Sequence, residues 1–553
     1  MKIPHNVYPR PQLVRHSFIC LNGVWELEIA ASSDIPKQFT KKINVPYPPQ
    51  SRLSGVDCEI KSDDVLFYRT FFDSPELGED KRLMLHFGAV DNHAEVFLNG
   101  APIASHDGGY LPFDIDITDY VRQKNELTVK VIDRLDPDYP YGKQRERRGG
   151  MWYTPISGIW QSVWLEIVPS NHVKDLRIDV SLDRAIIKVS GEFKQLSAIL
   201  LNADGEILVD QSTLTVIPSE AINWTPDTPF LYRLRIFADG DTVDTYFALR
   251  TLSIEEVNGI PRMCLNGKPF FFHGLLDQGY FEDGIFTPRD PSDYTIDIEN
   301  AKSLGFNTLR KHVKVEPECF YYDCDRLGMI VFQDFINNSP YSFFRDTLLP
   351  NIGIRRINDS VLQRSEKAKE IFILHSRATV EHLYNHPSIC LWTIFNEGWG
   401  QFDADRLFEL TRATDSSRFI NTTSGWFEQS KSDIKSMHVY FRRVRLPKSN
   451  GRPIALMEFG GYSHAVRGHL FDDKRSYGYR SFNDSDKFKK AFSRLYDEQI
   501  IPLVKRGLCA SVYTQLSDIE EEINGLYTYD RKALKLDKKE AVRIADAIKK
   551  ELE

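Results

Sequence analysis

The alternation of short apolar runs with amphipathic stretches over residues 256–553 constrains the fold more than any other feature. The stretch DYTIDIENAKSLG places Tyr294, Ile298 and Leu304 on one helical face and ends at Gly305, as helices commonly do. The predicted strands are FFFHGLL, NTLRKHV, MIVFQDF, ICLWTIFN, RFINTTSG, IKSMHVYF, PIALMEFGG and CASVYTQLSD. Eight such strands, with helices between several of them, predict a (β/α)₈ barrel over about 300 residues.

The residues before the barrel have the pattern of two all-β domains. Strands such as VLFYRTFF, RLMLHFGAV and NELTVKVI alternate apolar and polar residues, which predicts a β-sandwich of the jelly-roll type over residues 1–168. A second set, with DLRIDVSL, AIIKVSG and YRLRIFAD, predicts a smaller immunoglobulin-like sandwich over residues 169–255. The predicted fold class is therefore a multi-domain chain of two β-sandwiches followed by a TIM barrel.

Charge and composition exclude several classes of partner. The net charge is −8, from 70 basic and 78 acidic residues, so binding to nucleic acid by counterion release is not expected. No apolar run approaches the roughly 20 residues of a membrane span, so no membrane partner is expected. The first residues lack the apolar core of a signal peptide, which predicts a cytoplasmic location. Seven cysteines without a CxxC motif are typical of reduced thiols.

Two glutamates stand at the ends of predicted barrel strands. Glu397 follows ICLWTIFN, Glu458 ends PIALME, and glycine comes directly after the first and two residues after the second. Active sites of TIM barrels lie at the C-terminal ends of the strands, so both carboxyl groups are expected on one rim. Two facing carboxylic acids suit glycoside hydrolysis, in which one protonates the leaving oxygen and the other attacks the sugar. The alternative is that each caps its strand or pairs with Arg310, and spacing alone leaves the two interpretations about even.

The other predicted strand ends carry donors, acceptors and flat rings. Sugars need such groups, because hydroxyls form hydrogen bonds and the C–H faces of the ring stack on aromatic side chains. Each of these residues taken alone is as easily structural as functional. The candidate substrate-binding residues at these ends are Arg310, His312, Asp334, Asn396, Trp426, His438, Tyr440 and Tyr513.

Competing catalytic and metal-binding motifs find little support. His382 and His386 have the i, i+4 spacing of a zinc site, but Glu381 precedes them instead of lying between them, and Pro387 follows. A satisfied histidine at the turn into the next strand is the favoured interpretation. No GxSxG motif and no phosphate-binding glycine loop occurs. We therefore expect no metal and no organic cofactor.

Several motifs together resemble glycoside hydrolase family 2, a group of retaining barrel enzymes. NHPSICLWTIFNEG at 385–398 is similar to the acid/base signature of the family, and ALMEFGG at 455–461 is similar to its nucleophile strand. FYRTFF, LHFGAVDNHAEVFLNG and GIWQSVWLE resemble its N-terminal sugar-binding sandwich. The resemblance spans nearly the whole chain and implies that Glu397 is the acid/base and Glu458 the nucleophile.

The resemblance also implies supporting roles for neighbouring residues. Arg310 and Tyr440 match the arginine and tyrosine that support the nucleophile, and His438 is similar to a substrate-side histidine. HGLLDQGYFEDG at 273–284 resembles a less characterised branch, in which Asp277 and Gln278 are expected near the substrate.

The chain departs from the family pattern at three places that bear on sugar specificity. The segment EINGLYTYDRKALK lacks the Asn-x-Lys motif with which glucuronidases of the family bind the sugar carboxylate. Gly149 and Gly150 precede Met151 and Trp152 where large β-galactosidases place an acidic residue. Tyr513 stands where many members have tryptophan.

The resemblance predicts a retaining exo-β-glycosidase acting on a small oligosaccharide or glycoside. A β-galactoside is the first expectation for the substrate, with a β-glucuronide, an arabinoside or a mannoside as alternatives. A catalytically inactive carbohydrate-binding protein is the alternative from another class, and a homo-oligomer stays open. Double displacement requires the two carboxyl groups to lie about 5 Å apart, whereas inversion needs a separation near 9 Å.

Overall fold

The computed structural model describes residues 2–351, 358–361 and 365–552. Its first part is a β-sandwich with a core of aliphatic and aromatic side chains such as Trp25, Leu85 and Val129. The four-stranded sheet contains Ile19–Cys20, Val163–Pro169, Lys81–Phe87 and Phe113–Asp116, and the six-stranded sheet contains Lys41–Val45, Gly23–Ala30, Val65–Asp73, Lys124–Ile132, His93–Leu98 and Ala101–Asp107. A short pair, Val90–Asp91 with Gly158–Ile159, lies beside them.

A second, smaller sandwich follows and has its own core, which includes Leu234, Val243 and Phe247. Its sheets contain Asp175–Val180, Ala185–Ser190, Thr213–Pro218 and Gly205–Asp210 on one side, and Leu196–Leu200, Tyr232–Ala238 and Asp241–Phe247 on the other. Along Ala185–Ser190 and Tyr232–Ala238 buried and more accessible residues alternate, as expected for strands with one face on a core. A three-stranded sheet, Leu252–Val257, Ile260–Leu265 and Lys268–Pro269, leads into the barrel.

Eight parallel strands form the barrel and confirm the predicted fold class. They are β1 (Phe272–Asp277), β2 (Thr308–Lys311), β3 (Ile330–Asp334), β4 (Ile389–Asn396), β5 (Phe419–Ser424), β6 (Lys435–Val439), β7 (Ile454–Gly460) and β8 (Leu508–Thr514). Hydrogen-bonded neighbours follow the order β5-β4-β3-β2-β1-β8-β7-β6, so the barrel is nearly closed. Every residue of β4 is buried, because strands enclosed by the barrel interior and the helix layer have no face in water.

Helices pack around the barrel on its outer side. They are α1 (Ser292–Ser303), α2 (Glu318–Leu327), α3 (Leu349–Asn351), α4 (Glu366–Leu383), α5 (Ala404–Thr414), α6 (Ser485–Leu495), α7 (Ile501–Val504) and α8 (Lys538–Leu552). The predicted face of α1 is buried, including Tyr294 and Ile298. Local sequence sets several helix ends: the Ser365 hydroxyl accepts a hydrogen bond from the Ala368 amide at 3.1 Å, and α2 ends at Gly328 with φ of 73°.

The helix α4 and its C-terminal turn contain the two histidines that we considered as a zinc pair. His386 Nδ1 lies 2.7 Å from Asp325 Oδ2 and 3.2 Å from the Tyr246 hydroxyl. Nδ1 therefore has the partners expected of a histidine at this turn, whereas Nε2 is buried and has no hydrogen-bond partner among the described residues. Among the described residues, no helix combines the length and the apolar character that a membrane span needs.

Candidate active site

Glu397 and Glu458 meet at the C-terminal edge of the barrel. Glu397 follows β4 directly and has a left-handed backbone, with φ of 51°, while Glu458 lies within β7 two residues before its end. One carboxylate oxygen of each lies within 4.8 Å of the other. A left-handed glutamate costs about 1–3 kcal/mol, a cost that persists at sites where the surrounding structure demands it.

Glycines let the chain leave the rim after each glutamate. Gly398 has φ of 74°, and a Cβ there would lie 2.2 Å from the Phe427 ring. Gly460 has φ of 84°, and a Cβ there would lie 2.2 Å from the ring of Tyr513. A side chain at either position would clash with its neighbour, so glycine is required for the close packing that holds the two strand ends.

Hydrogen-bond donors surround the carboxylate of Glu458. Arg310 donates from Nη1 to Oε1 at 3.0 Å, the Tyr440 hydroxyl donates to Oε2, and His438 Nδ1 lies 3.5 Å from Oε2. Burial raises the pKa of Glu458, but His438, Arg310 and the other donors outweigh it and lower the pKa to about 2. Glu458 is therefore ionised throughout the neutral and mildly acidic range.

The surroundings of Glu397 favour the opposite protonation state. The only hydrogen bond of its carboxyl group among the described residues is with His438, whose Nδ1 lies 2.8 Å from Oε1. Burial, followed by the charge of Glu458, raises the pKa of Glu397 above its ordinary value. His438 Nε2 also contacts the Ser424 hydroxyl at 2.8 Å, which fixes the imidazole between the two carboxyl groups. Two neighbouring carboxyl groups with pKa values pushed apart are the arrangement that acid and nucleophile roles need.

Arg310 ties three barrel strands to this pair. Its guanidinium is fully buried and donates to Asp334 Oδ1 at 3.0 Å and to Asn396 Oδ1 at 2.8 Å, in addition to Glu458. Asp334 Oδ2 in turn lies 2.8 Å from His312 Nδ1. Burial lowers the pKa of His312 to about 4, so this imidazole is neutral at pH 7. The network orients Asn396 beside Glu397, and it gives the guanidinium of Arg310 a hydrogen-bond acceptor on each of its three nitrogens.

Aromatic rings form the walls above the carboxyl pair. Trp399 stacks on Trp152 with ring centroids 5.5 Å apart, and Tyr341 contacts both rings from the side. Tyr440 stacks on Tyr479 at 3.9 Å. Trp426 and His438 have ring centroids 5.5 Å apart, which adds a third aromatic surface. Flat apolar faces beside hydrogen-bonding groups are suited to a sugar ring.

Most of the predicted site residues lie in this one place. The residues that the structure brings together are Glu397, Glu458, Arg310, His312, Asp334, Asn396, Trp426, His438 and Tyr440. The contacts that Arg310 and Tyr440 were expected to make with Glu458 are present.

Asp277 does not lie with them. Its Oδ2 accepts a hydrogen bond from Lys311 at 2.6 Å, and Lys311 also contacts Glu316 at 2.9 Å and the ring of Phe320 in α2. Side chains alternate along a strand, so Arg310 points into the barrel and Lys311 points to the helix layer. Asp277, which contacts Lys311, lies on the same side. It therefore does not lie near the substrate, where it was expected. The neighbouring Gln278 is buried, and its Oε1 has no hydrogen-bond partner in the described part of the chain.

Tyr513 also lies away from the pocket. Its ring packs against Phe459 and Phe492, and its hydroxyl accepts a hydrogen bond from the Tyr462 amide at 3.3 Å. These partners belong to the layer between barrel and helices. The next residue, Thr514, faces the site, because its hydroxyl lies 3.0 Å from that of Tyr440. The expected position of Tyr513 was one residue out of phase with the strand.

Residues that no sequence motif predicted also reach the site from distant segments. Lys143 and Trp152 come from the first sandwich, Trp399 follows β4, and Glu522 lies beyond β8. The Tyr153 hydroxyl donates a hydrogen bond to Glu522, which joins sandwich and barrel. The segment GKQRERRGG at 142–150 has a basic composition that is equally typical of a solvated loop, so no local signal distinguished Lys143.

The same site contains a group of potential metal ligands. Glu397, His438 and Glu458 each offer one donor atom, and the three atoms lie within 4.8 Å of one another. Carboxylate and imidazole are ligands that divalent transition metals accept. A metal bound there would occupy Glu397, Glu458 and His438 together, and it would compete with any ligand that needs these side chains.

Two family models match the chain. One, described as a glycosyl hydrolase 2 galactose-binding domain-like domain, matches residues 40–163, and the other, described as the TIM barrel domain of glycosyl hydrolases family 2, matches residues 256–451. Together they match more than half of the chain.

Curated relatives and solved structures agree with these matches. A β-glucuronidase of Streptococcus agalactiae is 22% identical over 71% of this chain and 68% of its own length. A β-galactosidase of Thermoanaerobacter pseudethanolicus is 26% identical over 64% of this chain, but the match spans only about half, 48%, of that relative. The structure of a β-D-glucuronidase of Dictyoglomus thermophilum has a TM-score of 0.74 and 19% identity, with 98% of each chain covered, which is a likeness of fold.

Proposed function

We propose that this chain, which belongs to glycosyl hydrolase family 2, removes the terminal sugar of a β-glycoside with retention of anomeric configuration. The observation that carries the proposal is the carboxyl pair, whose nearest oxygens lie within 4.8 Å of each other. Retaining enzymes place the two carboxyl groups about 5 Å apart, since the nucleophile must touch the sugar directly and no water fits between.

In the first step, the ionised Glu458 attacks the anomeric carbon while Glu397 donates its proton to the glycosidic oxygen. The bond to the aglycone breaks, and the sugar becomes an ester of Glu458. The low pKa of Glu458, about 2, and the raised pKa of Glu397 support this division of roles.

In the second step, Glu397, now ionised, takes a proton from water, and the oxygen of that water attacks the anomeric carbon. The ester bond to Glu458 breaks, and both glutamates return to their starting states. Arg310 and Tyr440 support the departure of Glu458, because both contacts strengthen as negative charge returns to the carboxylate.

The residues that bound the pocket support the proposal that the enzyme cleaves a sugar from the end of a saccharide chain. The loop of the first sandwich that carries Lys143 and Trp152 approaches the barrel mouth on one side, and Tyr477 and Tyr479 line another side. A pocket bounded in this way accepts one terminal sugar more readily than the middle of a polymer.

Two substrate classes follow from the relatives. The similarity to the β-galactosidase from Thermoanaerobacter supports a β-galactoside as the substrate of this chain. The similarity to the β-glucuronidases from Streptococcus and Dictyoglomus supports a β-glucuronide. These two classes share the retaining chemistry and differ in the sugar that the pocket selects.

Hydrolysis of nitrophenyl β-glycosides, followed by proton NMR of the first sugar released, tests the proposal. We expect at least one glycoside in a panel of galactoside, glucuronide, glucoside, mannoside and arabinoside to be cleaved, with the β-anomer appearing first. Initial release of the α-anomer would contradict double displacement. Sugar binding without cleavage of any glycoside would favour a catalytically inactive carbohydrate-binding protein.

A further inference from the structure

Lys143 reaches the active site from the first β-sandwich and is held there by backbone contacts. Its carbonyl oxygen accepts a hydrogen bond from the Tyr153 amide at 3.0 Å. Two residues earlier, Tyr141 donates its amide to the Asn337 carbonyl at 3.1 Å and its hydroxyl to the Ser339 carbonyl at 2.7 Å. A Cβ on Gly142 would lie 2.8 Å from the Val313 carbonyl oxygen, so the loop runs directly against the barrel. Lys143 is therefore positioned by the rim that carries the catalytic pair.

The ammonium group of Lys143 is buried without an ion partner. The residue is 8% exposed, and its Nζ lies 5.3 Å from the centre of the Trp399 ring and 5.8 Å from that of Tyr153. Within residues 2–351, 358–361 and 365–552 the ammonium group has no hydrogen bond and no carboxylate within 4.0 Å. Contact with aromatic faces offsets part of the cost of burying a cation, but an ion pair offsets more.

Three other buried cations, which lie on β2 or shortly after it, have carboxylate partners. Arg310 contacts Asp334 and Glu458, Lys311 contacts Asp277 and Glu316, and Lys314 contacts Glu316 at 3.0 Å. Lys314 also donates to two backbone carbonyls. In contrast to these three cations, Lys143 can donate hydrogen bonds from its ammonium group to a ligand that enters the pocket.

The carboxylates of Glu522 and Glu458, which lie near Lys143, accept hydrogen bonds from other residues. Glu522 accepts hydrogen bonds from the Tyr153 hydroxyl and from Asn524 Nδ2, the latter at 2.9 Å. Glu458 is surrounded by Arg310, Tyr440 and His438. Burial raises the pKa of both Glu397 and Glu522, the nearby charge of Lys143 opposes that shift, and among the described residues neither glutamate brings a negative charge within 4.0 Å of the ammonium group. A ligand carboxylate would supply that charge, whereas a neutral hydroxyl would leave the cation unpaired.

From this geometry we propose that Lys143 binds the carboxylate of a β-linked uronic acid and selects uronides over neutral sugars. The inference rests on the proposed glycosidase function and names the substrate class of the same site. The chain lacks the Asn-x-Lys motif in EINGLYTYDRKALK, so the cation comes from the sandwich loop instead of from the end of the barrel. Glucuronides and galacturonides present the same carboxylate at C5 and differ only at C4, and the experiment separates them.

The first test compares substrates that differ only in the carboxylate. We expect kcat/KM for nitrophenyl β-D-glucuronide to exceed that for the β-D-glucoside, or that for the β-D-galacturonide to exceed that for the β-D-galactoside. The expected ratio in the preferred pair is about 100-fold, the size of one charge-assisted contact. Preference for the neutral member in both pairs would overturn the proposal.

The second test removes the charge of Lys143 and, as a control, the charge of another residue in the same loop. Lys143→Met should reduce the uronide-to-neutral ratio of kcat/KM by about 100-fold, mainly through KM, and Lys143→Arg should restore part of it. Arg147→Met removes one positive charge from an exposed position of the loop and should leave the ratio unchanged. Equal losses on charged and neutral substrates in Lys143→Met would show a structural role and overturn the proposal. Lys143→Gln provides a second neutral variant if the methionine variant does not fold.

Binding separates failure of this inference from failure of the proposed function. If no glycoside is hydrolysed, calorimetry with D-glucuronate and D-galacturonate still tests Lys143 directly. Binding of either uronate by the parent, weakened about 100-fold in Lys143→Met, would support the carboxylate site although the glycosidase proposal had failed. Absence of uronate binding to the parent would contradict the site itself.

Discussion

Glu458 and Glu397 occupy the same pocket in opposite electrostatic surroundings. Glu458 lies within β7, and its carboxylate accepts hydrogen bonds from Arg310 and Tyr440. Glu397 lies just after β4, and among the described residues its carboxyl group has one hydrogen bond, with His438 at 2.8 Å. The Glu397 side chain is also more accessible, at 14% against 6% for Glu458.

This difference shows how the barrel gives two identical side chains opposite pKa shifts. Cations and donors near Glu458 stabilise its charged form and lower its pKa to about 2, whereas burial and the neighbouring charge stabilise the neutral form of Glu397. The surroundings thus favour the ionised form of Glu458 and the protonated form of Glu397.

The largest expected effect follows from removal of the nucleophile. Glu458→Gln should lower kcat by at least about 10⁴-fold on every glycoside, because no covalent intermediate can form. Steady-state kinetics with a nitrophenyl glycoside measures the loss. Glu409→Gln, which neutralises an exposed carboxylate that contacts Lys431 on the surface, is the matched control and should retain parental rates. Parental activity in Glu458→Gln would refute the assignment of the nucleophile.

Removal of the acid should have a smaller effect that depends on the leaving group. Glu397→Gln is expected to lower kcat/KM by about 10²–10⁴-fold for an alkyl glycoside, which needs protonation to depart. The loss should be much smaller for a dinitrophenyl glycoside, whose leaving group departs as an anion. A loss independent of the leaving group would remove the distinction between the two glutamates.

Tyr440→Phe tests whether the donors near Glu458 set its pKa. The hydroxyl is one of the groups that lower this pKa, so its loss should raise the pKa of Glu458. Activity requires ionised Glu458, and the acidic limb of the kcat/KM profile should therefore move to higher pH, with a loss of about 10–100-fold at the optimum.

The alkaline limb of the same profile reports the proton on Glu397. It should fall as Glu397 ionises and stay close to the parental position in Tyr440→Phe, where the contact of Glu397 with His438 is retained. A pH–rate profile measured with one aryl glycoside for both proteins checks both limbs. An unmoved acidic limb would show that the tyrosine does not tune the nucleophile.

The smallest effect on catalysis is expected outside the pocket. Asp277→Asn leaves Lys311 with Glu316 as its remaining carboxylate partner and should reduce the free energy of unfolding by about 3 kcal/mol. Because Asp277 faces the helix layer, kcat/KM should stay within about twofold of the parent value. Denaturant unfolding and steady-state kinetics measure the two quantities. A large loss of kcat/KM with unchanged stability would return Asp277 to the substrate site.

Local patterns predicted much of the fold and the centre of the site. The buried face of α1, the wholly buried and mostly apolar β4 and the glycines after Glu397 follow from periodicity and from the turn residues that end strands, which depend on near neighbours in sequence. The C-terminal ends of parallel barrel strands share one rim, so the sequence alone predicted that Glu397 and Glu458 would meet.

Only the tertiary structure decided which side chains surround that pair. Asp277 and Tyr513 were expected at the rim, but strand alternation directs them to the helix layer, and a shift of one residue reverses the face. Lys143 joins the site because a sandwich loop packs against the barrel, a contact between segments far apart in sequence. The position of the pair could therefore be predicted from the sequence, whereas the side chains around it depend on strand register and on packing between domains.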